Sequence, residues 1–234
     1  MALINADLMI VSTQNAPMVK NPKKNLNQKD FLNGVIGDPE YYTVCKAMFM
    51  CGGPYETTAG FADKYESDFA KARQLVAEGG YDGTPVVLLH STDLYVLTNM
   101  APIAKSLMEK SGLKVDMQSM DWQTLVARRA KRDAPDKGGW NVLITSTSGA
   151  DSLDPLTYSF IGATCDKAWF GWPCDDELTR LRNAFADETD EAKRKEIVEK
   201  IQLRAAEVPT HAFLGQYNNA MAIRKEVAGS VVAP

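Results

Sequence analysis

The chain is poor in the features that announce most enzyme, membrane and nucleic-acid functions. It holds only two histidines, His90 and His211. It has no Gly-x-Ser-x-Gly, so the usual serine nucleophile elbow is missing. None of its cysteines are spaced Cys-x-x-Cys, and with two histidines to complete a site a zinc centre is a weak reading. No apolar run approaches the length that crosses a bilayer. Positive charge is in deficit, with 26 Lys and Arg against 30 Asp and Glu, a net charge of −4. A nucleic-acid partner is therefore not expected, because phosphate neutralisation needs a basic surplus on one face. Internal repeats and low-complexity tracts are missing as well. The start, Met1-Ala-Leu-Ile-Asn-Ala-Asp7, lacks a basic segment followed by an apolar core, so it does not read as a signal peptide. A methionine ahead of a segment that looks internal suggests a shortened chain.

What remains is an ordinary globular composition, 45% hydrophobic and 24% charged, over 234 residues. The most informative stretch is Cys165-Asp-Lys-Ala-Trp-Phe-Gly-Trp-Pro-Cys174, followed at once by the acidic helix start Asp175-Asp-Glu-Leu178. A tight aromatic loop needs something to tie its ends, and a disulfide would do so, which implies an oxidising compartment. The other two cysteines, Cys45 and Cys51, also lie close together. Four cysteines allow three connectivities, of which local pairing is the simplest. Each bridge would then contribute roughly 2–3 kcal/mol by the loop-entropy argument. The alternative is two pairs of free, buried thiols.

Along the chain, residues 1–60 read as irregular, with apolar patches at Leu8–Val11 and Phe31–Ile36 and a basic Lys20–Lys24 stretch. From Tyr65 the periodicity sharpens. Tyr65, Phe69, Ala72, Leu75 and Val76 share a helix face that stops at Gly79-Gly80. Thr84–His90 is a β-branched, apolar run suited to a buried strand. Val96, Met100, Ile103 and Leu107 recur at helical spacing, and Leu113–Met117 reads as a second strand. Asp121 can cap a helix carrying Trp122, Leu125 and Val126, and Trp140–Thr145 is a third strand. Two helices follow, from Asp175 and from near Thr189, and then two short strands, Ala212–Tyr217 and Ala220–Ile223. Strand, helix, strand, helix, strand is the order of an α/β unit with parallel pairing.

Four segments together resemble the C-terminal part of the extracytoplasmic solute-binding proteins of peptide-type ABC transporters. They are Asp68-Phe-Ala-Lys-Ala-Arg-Gln-Leu-Val-Ala-Glu-Gly-Gly-Tyr81, Met120-Asp-Trp-Gln-Thr-Leu125, Gly149-Ala-Asp-Ser-Leu-Asp-Pro155, and Leu214-Gly-Gln-Tyr217 through Gly229. The likeness runs from about Asn27 to the end, carried by order and spacing rather than by one motif. It implies an α/β fold: a periplasmic-binding-protein-like lobe, a mixed sheet with flanking helices, with remnants of a first lobe at both termini. The division it implies is a partial first lobe and linker over 1–83, a second lobe over 84–211, and a return to the first lobe over 212–234. It further implies a periplasmic, monomeric receptor that takes a peptide or small-molecule ligand, works with a membrane permease, and uses no cofactor.

Asp151 sits in a Ser/Thr/Gly-rich loop after the third strand, where α/β sheets place ligand sites. The resemblance implies that it captures a peptide's α-amino group; a backbone-capping Asx-turn is the even alternative, and for Asp154 it is the favoured one. Ser146, Thr147 and Ser148 are candidates for bonding the ligand's backbone. Trp169 and Trp172, with Phe170 between them, would stack on the ligand or serve as core. Arg224 is a further candidate as a carboxylate partner. The competing readings are a thiol or serine hydrolase and a redox or zinc module built on Cys45, Cys51, Cys165 and Cys174. No catalytic residue and no metal ligand is assigned.

Overall fold

Six strands and six helices are seen in a computed structural model that describes residues 2–12, 27–62, 65–221, 224 and 226. The strands are β1 (Ala2–Ser12), β2 (Tyr42–Thr43), β3 (Val86–Ser91), β4 (Val115–Met120), β5 (Val142–Ser148) and β6 (His211–Met221). The helices are α1 (Gln28–Val35), α2 (Phe69–Glu78), α3 (Tyr95–Lys110), α4 (Trp122–Arg129), α5 (Asp176–Asp187) and α6 (Glu191–Glu207). One sheet holds every strand, in the order β2-β6-β1-β5-β3-β4.

The apolar run expected to be a buried strand is β3, buried at all six positions. It pairs in parallel with β4 on one side and β5 on the other. α3 packs over these three strands, α1 packs on α3 and β6, and α5 pairs with α6. β1 is antiparallel to both of its neighbours, β5 and β6. This gives the mixed α/β sheet with flanking helices that the sequence implied.

Capping decides where the helices start. Asp68, Asp121, Asp175 and Asp190 each accept a backbone N–H three residues on, from Lys71, Thr124, Leu178 and Lys193. Asp175 does more. Its carboxylate takes both Nη2 (2.6 Å) and Nε (3.1 Å) of Arg204, tying the start of α5 to the end of α6. The arginine's hydrogen bonds hold the Asp175 carboxyl below the usual carboxylate range.

Several sequence expectations are corrected. Among its described residues the 1–60 stretch is not irregular throughout: β1 occupies the middle of the sheet and α1 precedes β2. β1 lacks a period-2 pattern because its pairing on both edges, not local alternation, holds it extended. Tyr65 is not on the α2 face. It is buried outside the helix at φ +64° and stacked on Phe61 at 6.0 Å. The two terminal strands are one, β6. Asn218 and Asn219, between the two expected strands, pair with Asn5 and Ile4 and continue the strand. The Lys20–Lys24 stretch, Ala222, Ile223 and residues 227–234 lie outside the described residues.

The cysteines pair locally, Cys45 with Cys51 and Cys165 with Cys174. Two buried glutamines brace the first bridge. Gln28 Nε2 donates to Cys45 O (2.8 Å) and Phe213 O (3.1 Å). Gln202 accepts from Met48 N (3.0 Å) and donates to Ala59 O (3.0 Å) and Thr57 O. Polar groups buried this way are tolerated only because each finds its partners.

Candidate functional site

Parallel β3, β4 and β5 all end at the same edge of the sheet, at Ser91, Met120 and Ser148. The chain leaves β5 through a single 3-10 turn, Gly149–Ser152, that is started by Ser148. The Ser148 hydroxyl accepts Ala150 N at 3.2 Å. Asp151 sits on this turn with its side chain exposed, and its Oδ2 accepts the Thr147 hydroxyl at 2.8 Å. Asp154 is different. Its Oδ1 accepts Leu156 N (2.6 Å) and Thr157 N (3.0 Å), so it works as an Asx-turn.

Segment 45–53 supports the turn from behind. Met50 N donates to Ser152 O at 3.1 Å, and the Ser152 hydroxyl donates to Gly149 O at 3.0 Å. The first disulfide thus stiffens the loop that carries Asp151. Ser146 stands near Tyr217 on β6, across β1. Burial pushes the Tyr217 phenol up, and the nearby Ser146 hydroxyl offsets part of that. Sequence reasoning used Tyr217 only as part of a matched segment. Its signal was the register, which sets Tyr217 and Ser148 on either side of Ala6.

So Ser146, Thr147, Ser148 and Asp151 come together at one end of β5. Trp169 and Trp172 are not brought to them. Trp172 packs on Trp140 at 6.2 Å, and Trp140 precedes the first residue of β5. Trp169 packs on Phe160 at 4.2 Å, and Phe160 packs on His211 at the start of β6. The seven residues of β5 separate the two groups by roughly 20 Å. A ligand held by Asp151 and one stacked on Trp172 would occupy different places.

Both histidines are built into the frame. His90 Nε2 lies 3.1 Å from Thr98 O. Pro102, inside α3, cannot donate to that carbonyl four residues back. His90 therefore carries its proton on Nε2, and Nδ1 accepts the Ser119 hydroxyl at 2.8 Å. His211 Nε2 pairs with the Tyr158 hydroxyl at 2.8 Å, and Nδ1 with the Thr210 hydroxyl at 2.9 Å. With all four cysteine sulfurs paired, the chain offers no thiolate to either as a nucleophile or as a metal ligand.

An α/β lobe with an exposed, braced acid at the C-terminal edge of its parallel strands suits solute capture. The family model for bacterial extracellular solute-binding proteins, family 5 (middle part), matches residues 39–169, more than half of the chain. The chain belongs to this family. A relative, the probable peptide ABC transporter periplasmic-binding protein y4tO of Sinorhizobium fredii, is 30% identical over 211 residues. That alignment covers 89% of this chain and 39% of the relative, so the chain spans well under half of that protein's length.

Solved family-5-like structures share the fold. The ABC transporter substrate-binding protein CtaP of Listeria monocytogenes superimposes with a TM-score of 0.77 at 18% identity, over 93% of this chain and 46% of that one. The oligopeptide-binding protein AppA of Bacillus subtilis, solved with a nonapeptide, gives a TM-score of 0.73 at 17% identity, over 92% and 46%. Among the described residues, no helix is long and apolar enough to cross a membrane.

Proposed function

We propose that this chain is part of a longer receptor, the extracytoplasmic solute-binding component of an ABC importer for peptides, acting in the periplasm as a monomer. It binds rather than catalyses, and it hands its ligand to a membrane permease. A second lobe, supplied by the remainder of the receptor, closes over the edge where β3, β4 and β5 end. The observation that carries this reading is Asp151. Its carboxylate is exposed at that edge, anchored by Thr147 Oγ1, and has acceptor capacity to spare for an ammonium group. Ser146 and Ser148 stand beside it as partners for the ligand's backbone. The family membership and the named function of the Sinorhizobium relative support the same reading.

Calorimetry on the full-length receptor tests it. A tripeptide with a free α-amine should bind in the micromolar range, and the same peptide N-acetylated at least about tenfold more weakly. Equal affinities would remove the amine from recognition. Binding of neither would set aside peptides as the ligand class.

A further inference from the structure

A hollow of about 370 Å³ opens beside the second disulfide loop, away from the edge that carries Asp151. That volume is near the lower end for small-molecule sites. Trp169, Phe170 and Trp172 form its aromatic wall, with Ser159, Thr164, Lys167 and Arg182 as its polar side chains. Among the described residues no carboxylate lines it, although the chain as a whole is acidic.

The cations around this hollow are unusual in how they are held. Arg182 is fixed along one edge, with Nε donating to Pro155 O at 2.9 Å and Nη2 to Leu156 O at 3.5 Å. Its Nη1 is directed at Gly162, another wall residue, where an added methyl would meet it at 3.1 Å. Burial lowers the Arg182 pKa, partly offset by Asp154, whose own oxygen is taken up by backbone amides. Behind the wall stands Arg129, with its guanidinium carbon 5.4 Å from the Trp169 ring and 4.6 Å from the Phe170 ring. Its Nε is buried without a hydrogen-bond partner, and burial lowers its pKa too. Neither guanidinium is paired with a carboxylate among the described residues. Partly desolvated cations that form no ion pair are costly, and an incoming anion would offset that cost.

The loop is also held open against local strain. Cys165 and Trp172 have φ of +58° and +50°, conformations that ordinary side chains avoid. The disulfide, the bridge between Thr164 and Cys174, and the Arg132 guanidinium 4.5 Å above the Trp172 ring together fix the aromatic wall.

We propose that this hollow is a second binding site, separate from the cleft, for a small organic anion. The ligand is a carboxylate carried on a flat ring: the carboxylate meets Arg182 and Lys167, and the ring stacks on Trp169. The site would bind its ligand whether or not a peptide occupies the cleft.

Titration of the 234-residue chain with 3-phenylpropanoate, followed by tryptophan fluorescence and calorimetry, tests the assignment. Saturable binding with a submillimolar Kd is expected, with the neutral 3-phenylpropanamide at least about tenfold weaker. Lys167→Gln and Arg182→Gln should each weaken the acid by about fivefold or more, while Asp151→Asn leaves it unchanged. Arg182 also ties two carbonyls; should Arg182→Gln not fold, the exposed Lys167→Gln decides. No saturation, equal binding of acid and amide, or loss of binding in Asp151→Asn would each overturn the proposal. The last of these would move the ligand into the cleft.

Discussion

Asp151→Asn in the full-length receptor is expected to weaken a free-amine peptide by about a hundredfold or more, while its N-acetylated counterpart changes less than about threefold. The substitution keeps the size of the side chain and keeps an oxygen to accept the Thr147 hydroxyl, so the turn survives. What it removes is the charge. In a cleft that closes and sheds water, an ammonium left without its partner costs about 2–5 kcal/mol. The acetylated peptide has no cation to strand, and so loses little. Calorimetry on the two peptides with both proteins measures the difference directly. Equal losses would show that Asp151 braces the loop instead of meeting the ligand.

The second large effect is acid sensitivity centred on His211. Burial holds this imidazole down to about 4, against 6.5 in the unfolded chain, opposed in part by the Phe160 backbone. A group whose folded pKa is depressed is neutral in the fold, and the unfolded chain takes up its proton first as pH falls. The contribution of His211 is therefore whole above pH 6.5, falls as pH drops from 6.5 toward 4, and is fully lost below that. The span corresponds to about 3 kcal/mol. Protonation would also force a cation between the rings of Tyr158 and Phe160. Urea unfolding at pH 7 and at pH 4.5 should show most of this drop in the wild type, beyond a smaller background in His211→Asn. Parallel pH profiles for the two proteins would show that the histidine is not the group responsible.

The central βαβ portion was legible from sequence because its signals are local. The run at 86–89 is apolar throughout and buried, and the Asp caps stand directly before apolar periodic stretches. β1 was not legible, because its extended state depends on partners about 140 and 210 residues away. The Pro102 break in α3 is repaired by His90, a residue on another element, so neither residue announces the arrangement alone. Gln202 was more accessible, since it falls on the same stripe of α6 as the buried Val198, Ile201 and Ala205. A glutamine on an apolar stripe is a signal for buried backbone groups that need a partner.

At the site, the Ser146–Asp151 stretch could be read because a strand followed by a Gly-rich acidic turn states its own geometry. The tryptophans could not be placed, because the loop that carries them folds back along the lobe to Trp140 and away from the turn. Sequence proximity to Asp151, about twenty residues, carried no information about which end of β5 they would reach. Their partners Arg129 and Arg132 are stacked on aromatic rings, a contact that a run of basic residues does not announce.

The most direct test of the receptor reading is the mass of whatever the full-length protein carries when it is purified from the periplasm without denaturation. Native mass spectrometry is expected to find short peptides with free N-termini, released on unfolding. A bound solute with no cationic nitrogen would contradict the role given to Asp151 and the peptide assignment with it.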